Sequence, residues 1–162
     1  ISINNGAKMR GWYNIEGINA AAPSSEILES INKVSDIIEA QISSGIESNQ
    51  IAVAGFSQGG TIAIEAALRF PKRLAAIIGL STYIDDHEHL AQRIELANID
   101  TPIFLAHGIY DPMIHISKAI TARETLSQLG YQVDWLEYPI GHQVSEEEIE
   151  TLNSWIADKL TK

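Results

Sequence analysis

The sequence predicts an α/β protein in which a mostly parallel β-sheet carries helices on both faces. Short apolar runs, such as residues 51–56 and 102–107, alternate along the chain with longer segments of helical periodicity. Continuous apolar runs of this length are typical of parallel strands that are covered on both sides. The 162 residues contain neither an internal repeat nor a linker-like stretch, so residues 1–162 are interpreted as one domain.

The chain begins with an irregular pattern that gives way to a helix. Residues 1–19 are rich in Asn and Gly, which predicts a loop with one short strand at residues 11–15. Pro23 and the two serines after it favour the start of a helix. Apolar residues at helical spacing over 27–42 predict that this helix buries one stripe in the core, and Gly45 marks its end.

Strands and helices then alternate to the end of the chain. Residues 51–56 are bounded by turn residues and predict a strand that is buried on both faces. The polar segment 81–100 is expected to cross over, with a helix near residues 89–96. Ser145, with Glu148 three residues later, predicts a capping box. Further strands are predicted at residues 74–80, 102–107 and 132–138, and further helices at residues 58–69, 116–129 and 145–160.

The composition argues against several classes of function. Twenty-one acidic residues against 11 Lys and Arg give a net charge of −10, which disfavours binding to nucleic acid or to an anionic membrane. No run of 18 apolar residues is present, so an integral membrane protein is not expected. Because these residues include no cysteine, they offer no disulfide, thiolate metal site or cysteine nucleophile. A cytoplasmic location fits this composition.

A candidate nucleophile lies directly after the strand at residues 51–56. Ser57 is the centre of a G-x-S-x-G motif between a buried strand and a helix, where a sharp turn exposes the serine hydroxyl. The backbone N–H of Gln58, at the amino end of that helix, is expected to face a developing oxyanion. A tight turn with an incidental serine is the simpler alternative. Close approach of the neighbouring backbone and helix requires the small residues Gly55, Gly59 and Gly60.

Two further strand ends carry the partners that such a serine needs. A serine hydroxyl becomes nucleophilic only when a base, usually a histidine oriented by a carboxylate, removes its proton. Asp111 follows the strand at 102–107, and His142 follows the strand at 132–138, in the chain order serine, acid, histidine. Function in parallel sheets lies beyond the carboxyl ends of the strands, so these residues are expected to converge. Taken singly, each is equally well explained as an Asp-Pro turn or a surface histidine.

The remaining polar candidates are interpreted as structural. His107 ends an apolar strand and is expected to be buried in support of the Asp111 loop. The acids and histidines at 85–89 suggest a metal site, but a solvated loop is preferred, with one of its aspartates as a reserve triad acid. The glutamates at 146–148 are favoured at a helix amino end. Trp12 and Tyr13 are either core aromatics or part of a substrate wall, and the sequence does not decide between them.

Several motifs together resemble one known family. They are G-F-S-Q-G-G at 55–60, L-S-T-Y at 80–83, H-G before Asp111, G-H at 141–142 and M-R-G-W-Y-N-I at 9–15. They look like the phospholipase/carboxylesterase family, the acyl-protein thioesterase-like branch of the α/β-hydrolases, and the likeness spans essentially the whole chain. It implies an α/β-hydrolase fold in which Ser57 is the nucleophile, His142 the general base and then acid, and Asp111 the residue that orients it. It implies no metal and no organic cofactor.

The resemblance also implies a class of substrate. The reaction would be hydrolysis of a carboxylic ester or acyl thioester through an acyl-enzyme, with a small-molecule ester, an acylated protein or a lysophospholipid as substrate. The position of residues 82–96 after a strand end predicts that Thr82 and Tyr83 line the acyl pocket, together with Trp12. A homodimer is compatible with the sequence, which does not specify the oligomeric state.

One feature of the family pattern is not found. Family members carry further strands and an H-G-x-G loop upstream of the W-Y segment, and that loop supplies a second oxyanion N–H. The only His-Gly pair in these residues follows the nucleophile instead. The chain is therefore expected to be the carboxyl-terminal portion of a complete α/β-hydrolase. The alternative to an enzyme is a non-catalytic or weakly active remnant that binds acyl ligands.

Overall fold

The computed structural model describes residues 1–3, 7–8, 10–14 and 25–160. Two short strands near the start, β1 (Ser2–Ile3) and β2 (Ala7–Lys8), pair antiparallel. Four parallel strands form the main sheet and lie side by side in chain order. The predicted parallel architecture is confirmed. The four strands are β3 (Ala52–Phe56), β4 (Ala76–Leu80), β5 (Ile103–Gly108) and β6 (Val133–Tyr138).

Four α-helices connect and cover these strands. Their bounds agree with the sequence predictions to within two residues at the ends that the structure describes. The predicted capping box is confirmed, because the Glu148 N–H donates to Ser145 Oγ at 3.1 Å and the Ser145 N–H to Glu148 Oε2 at 3.4 Å. The helices are α1 (Ser25–Ser43), α2 (Gln58–Leu68), α3 (Ile116–Gln128) and α4 (Glu146–Leu160).

The alternation of side chains along the strands divides the core into two layers. One layer joins one face of the sheet to α1, α2 and α3 and includes Val53, Ile77, Ile103 and Leu105. The other layer joins the opposite face to α4 and includes Ile78, Leu80, Phe104, Ala106 and Leu152. The sheet is therefore covered on both faces at β4 and β5, which are buried along their whole length.

The prediction that residues 51–56 are buried on both faces is wrong. In β3 only Val53 is buried, whereas Ala52, Ala54 and Phe56 are exposed. The physical reason is position, because β3 is at the edge of the four described strands and only its Val53 face packs against the helices.

The apolar stripe of α1 is buried only in part. Ile27, Ile31 and Ile38 are in the core, but Leu28 and Ile37 remain 39% and 58% exposed. The predicted stripe is thus wider than the face that α2 and the sheet cover. The predicted helix start at residues 23–24 is outside the described residues.

Two local predictions are wrong. Residues 11–14 form no strand, although residue 15 is outside the described part. The crossover after β4 does not contain a helix at 89–96, but two short 3₁₀ segments, His87–Gln92 and Leu96–Asn98. The crossover buries few apolar residues and is held largely by polar contacts, which explains why an amphipathic α-helix does not form there.

Among the described residues, no helix combines the length and the apolar character that a bilayer span requires.

Candidate active site

Ser57 occupies a sharp turn between β3 and α2. Its φ of 54° is in the left-handed region, which a residue with a side chain rarely adopts. The turn is held from both sides, because the Ser57 N–H donates to Leu80 O at 2.9 Å and the Thr82 hydroxyl donates to Ser57 O at 2.7 Å. A strained residue persists only where its surroundings over-determine it, and such residues cluster at functional sites.

Two glycines allow the close approaches that this turn requires. A Cβ atom on Gly55 would overlap the main-chain carbonyl of Gly59, one turn ahead in the chain. A Cβ atom on Gly60 would overlap the side chain of Thr82. Any larger residue at either position would therefore push the start of α2 away from β3 or from the segment after β4.

The structure brings Ser57, Asp111 and His142 together. Ser57 Oγ lies 2.9 Å from His142 Nε2, and His142 Nδ1 lies 2.7 Å from Asp111 Oδ2. These residues follow β3, β5 and β6, so the rule of converging strand ends accounts for their meeting. The contacts are those that a serine nucleophile, a histidine base and an orienting carboxylate require.

The carboxylate of Asp111 is buried and fully engaged. Its Oδ1 accepts hydrogen bonds from the main-chain N–H groups of Met113 and Ile114 at 2.8 and 2.9 Å. Burial alone would raise the pKa of this carboxyl. The hydrogen bonds from His142, Ile114 and Met113 outweigh burial and hold the pKa below its ordinary value. Asp111 is therefore ionised at neutral pH.

His107 packs beneath this carboxylate. It is buried, as predicted, and its Nε2 lies 2.9 Å from Ile114 O and 3.5 Å from Asp111 Oδ2. Since a carbonyl oxygen only accepts, Nε2 carries a hydrogen. Among the described residues, no group bonds to Nδ1. His107 thus connects the Asp111 carboxylate to the loop that holds it.

Gln58 contributes two different groups to the site. It is the first residue of α2, and N–H groups in a first helical turn have no partner within the helix. Its main-chain N–H is therefore suited to the predicted oxyanion contact. Its side chain does something that the sequence did not indicate: Oε1 accepts from the Trp12 N–H at 2.8 Å and Nε2 donates to Tyr13 O at 2.6 Å.

The aromatic residues that the sequence left undecided differ in environment. Tyr13 is buried against α1 and α2, and its hydroxyl lies 3.0 Å from that of Tyr83. Burial raises the pKa of both phenols, so both are neutral. Trp12 is 41% exposed. Thr82 is buried at the Ser57 turn, and its predicted role in lining the acyl pocket, like those of Trp12 and Tyr83, stays a prediction.

The acidic segment of the crossover is not a solvated loop. Asp86 binds the Arg93 guanidinium with Oδ2 at 3.2 Å and the His89 ring with Oδ1 at 2.5 Å. Arg93 also binds the buried carboxylate of Glu65 on α2. The expectation of a solvated loop is wrong because these charges pair with one another. Within the described residues, no three His, Asp or Glu side chains are grouped to hold a metal ion.

Comparison with known proteins gives a consistent set of similarities. The sequence model of the phospholipase/carboxylesterase family matches residues 1–160. The chain is similar to acyl-protein thioesterase 1 of Neurospora crassa, with 34% identity over 172 residues that cover 100% of this chain and 70% of that protein. It is 31% identical to acyl-protein thioesterase 1 of Yarrowia lipolytica, covering 99% and 73%. Its fold is similar to the crystal structure of Arabidopsis thaliana SOBER1, with a TM-score of 0.89 and 28% identity over 97% of this chain and 77% of that one.

Proposed function

The chain belongs to the phospholipase/carboxylesterase family of α/β-hydrolases and is an esterase-type hydrolase, and we propose that it cleaves carboxylic esters or acyl thioesters through an acyl-enzyme on Ser57. One observation carries the proposal. Ser57 Oγ, both ring nitrogens of His142 and Asp111 Oδ2 form a continuous relay with separations of 2.9 and 2.7 Å.

Each member of the relay has a defined task in the first half of the reaction. Ser57 Oγ attacks the acyl carbonyl while His142 Nε2 takes the hydroxyl proton. The ionised Asp111 accepts a hydrogen bond from Nδ1–H, which leaves Nε2 free as the base and stabilises the imidazolium that forms. The main-chain N–H of Gln58 donates to the oxyanion of the tetrahedral intermediate.

The second half of the reaction uses the same groups in reverse. His142 gives its proton to the leaving alcohol or thiol, so that the tetrahedral intermediate collapses to the acyl-enzyme. A water molecule, deprotonated by His142, then attacks the ester carbonyl on Ser57. The carboxylic acid leaves, and the proton returns to Ser57 Oγ. Atoms and charges balance with water as the only co-substrate.

The surroundings of Ser57 favour an apolar acyl group. Phe56 is 39% exposed, and its ring centroid lies 4.8 Å from that of His142. Trp12, in the segment whose main chain Gln58 binds, is also partly exposed. Two relatives bear the name acyl-protein thioesterase 1, which supports an acylated protein or a small-molecule ester or thioester as substrate. The net charge of −10 disfavours strongly anionic substrates. A cytoplasmic location stays a prediction.

The test is covalent labelling of the chain with a serine-directed fluorophosphonate, read by intact mass and mapped by peptide digestion. We expect one adduct, on Ser57, and none in Ser57→Ala or His142→Ala. The matched control is Ser154→Ala, which removes an exposed hydroxyl on α4 and should label like the parent. Steady-state hydrolysis of an activated ester should be lost in parallel, because triad members act as a unit. A folded parent chain that takes no label, or labels elsewhere, would refute the mechanism and favour the acyl-binding alternative.

A further inference from the structure

The side-chain amide of Gln58 binds the main chain of a segment far away in sequence. It receives a hydrogen bond from the Trp12 N–H at 2.8 Å and gives one to Tyr13 O at 2.6 Å, across 46 and 45 residues. The two contacts resemble one rung of strand pairing, made by a side chain instead of a second strand. Residues 10–14 are thereby set in register with the first residue of α2.

An amide is the side chain that suits this pair of contacts. One partner is an N–H group and the other is a carbonyl, so the side chain must accept at one atom and donate at its neighbour. A carboxylate of the same shape would accept from Trp12 but place an oxygen against Tyr13 O. It would also bring a negative charge to the residue whose main-chain N–H is proposed to hold the oxyanion.

The same segment is fastened at further points. The Ser30 hydroxyl donates to Trp12 O at 2.5 Å, and the Asn14 N–H donates to Glu26 Oε2 at 2.7 Å. The ring of Tyr13 is buried in the core that α1 and α2 share. The main chain of Trp12 is therefore fixed on both sides, while the residue as a whole stays 41% exposed. An aromatic surface that is held rigidly loses little conformational entropy when it binds an apolar group.

The indole lies at the amino end of α2, close to Ser57. Its Nε1 is 3.0 Å from the position that a Cβ atom on Gly59 would occupy, and Gly59 is two residues after Ser57. The ring therefore lies against the first turn of α2, where a side chain at position 59 would crowd it. Gln58 joins the two features, because its main chain belongs to the nucleophile turn and its side chain holds the segment that carries the ring.

We propose that Gln58 is a positioning residue for acyl selectivity: its side-chain amide holds Trp12 so that the indole forms a fixed apolar wall for acyl chains that approach Ser57. This inference rests on the proposed function, since it takes the acyl group to bind beside Ser57. The role proposed for the Gln58 side chain is separate from the oxyanion contact, which uses the main-chain N–H of the same residue.

The first arm of the test measures selectivity. Values of kcat/KM are measured for p-nitrophenyl acetate and p-nitrophenyl octanoate with the parent chain, Gln58→Leu and Gln58→Glu. We expect the octanoate-to-acetate ratio to fall about tenfold in both variants, the factor that one ordinary pair of hydrogen bonds controls, with the change mainly in KM for octanoate. Gln128→Leu is the matched control, because Gln128 is exposed at the far end of α3 and should leave the ratio as in the parent.

The second arm measures the position of Trp12 without any turnover. The other two tryptophans are replaced in a Trp135→Phe/Trp155→Phe background, so that fluorescence reports Trp12 alone. Acrylamide quenching should increase up to about twofold when Gln58→Leu or Gln58→Glu is added, since Trp12 is already 41% exposed, while Gln128→Leu leaves it unchanged. Far-UV circular dichroism establishes that each variant is folded.

The outcomes separate this inference from the proposed function. A folded Gln58 variant that keeps both the parent selectivity ratio and the parent quenching would overturn the inference. So would a variant that frees Trp12 and keeps the ratio, because the indole would then not be the wall. Failure of fluorophosphonate to label Ser57 in the parent would instead overturn the proposed function, and the quenching arm would still report whether Gln58 holds Trp12. Trp12→Ala should lower the ratio, and adding Gln58→Leu to it should lower the ratio no further.

Discussion

Replacing Arg93 with Met should destabilise the fold by about 3 kcal/mol, well beyond the effect of removing a surface arginine. The Arg93 guanidinium donates five hydrogen bonds across the crossover. Two go to the carboxylate of Glu65 on α2, one to the carboxylate of Asp86, and two to the main-chain carbonyls of Asp85 and Asp86. The Glu65 side chain is only 2% exposed, and that of Arg93 is 12% exposed.

The size of this destabilisation depends on which partners the buried Glu65 carboxylate keeps when Arg93 is removed. Arg69 holds Glu65 Oε2 at 2.9 and 3.1 Å, so the buried carboxylate keeps one partner when Arg93 is removed. Glu65 Oε1 loses the Arg93 Nη2 contact at 2.8 Å. The carbonyls of Asp85 and Asp86 each lose the Arg93 donor, and that of Asp86 keeps the His89 N–H at 3.2 Å. Breaking a buried ion pair costs about 3–5 kcal/mol, and the retained Arg69 contact places this case at the lower end. For a chain of this length, that corresponds to a decrease in Tm of about 6–12 °C.

The assay is urea unfolding at pH 7, followed by circular dichroism, with m-values compared to establish that the same surface unfolds. Arg123→Met is the matched control, since the Arg123 side chain is 32% exposed and pairs with an exposed Glu124, and it should cost about 1 kcal/mol or less. Equal costs for Arg93→Met and Arg123→Met would refute the reasoning.

Substitutions at two further positions test the loop that carries Asp111. Asp111→Asn should lower kcat/KM by about 10³–10⁴ with the fold retained, because an amide selects the wrong tautomer of His142. Steady-state kinetics measures the loss, and circular dichroism shows whether the fold is retained. A loss below tenfold would contradict the orienting role. The pKa of Asp111 is lower in the folded state than in the unfolded chain, so the ionised carboxylate stabilises the fold above its ordinary pKa, and this contribution decreases as pH falls. In urea midpoints measured between about pH 2 and pH 5, the parent should therefore lose more stability on acidification than Asp111→Asn does. His107→Leu should cost about 1–3 kcal/mol by leaving Ile114 O unpaired, and His107→Gln should cost less because its Nε2 still donates; equal urea midpoints for the two would argue against that hydrogen bond.

The three relay residues were predictable because each has a local signature at a strand end. Ser57 stands in a motif whose glycines permit a tight turn, and Asp111 and His142 follow apolar strands in the chain order typical of α/β-hydrolases. Their convergence needs only the parallel topology, in which strand ends of one kind gather at one edge. The burial of His107 was predictable for the same reason, as it ends a strand that is apolar at almost every position.

The errors occurred where a local pattern competes with a distant partner. The helix expected at 89–96 has suitable residues, but Arg93 binds Glu65 on another element and the main chain of the turn before it. Residues 51–56 are as apolar as the neighbouring strands. Burial also depends on which elements pack on each face of the sheet, and the sequence of one strand does not indicate that. Periodicity indicates which structure a segment prefers by itself. It contains no information about a contact such as that between Arg93 and Glu65, which are 28 residues apart.

The contacts that were not predicted all hold the main chain around Ser57 in place. Ser57 is held at a φ of 54°, and a strained residue stays in place only when enough neighbours fix it. Its carbonyl accepts from the Thr82 hydroxyl across 25 residues, and the turn continues into Gln58, whose amide binds main chain 45 and 46 residues away. Such side-chain contacts to distant main chain need one hydroxyl or one amide and leave no periodic trace in the sequence. The turn at Ser57 was thus predictable from its own motif, whereas the groups that hold its geometry are identified only once the fold has brought distant segments together.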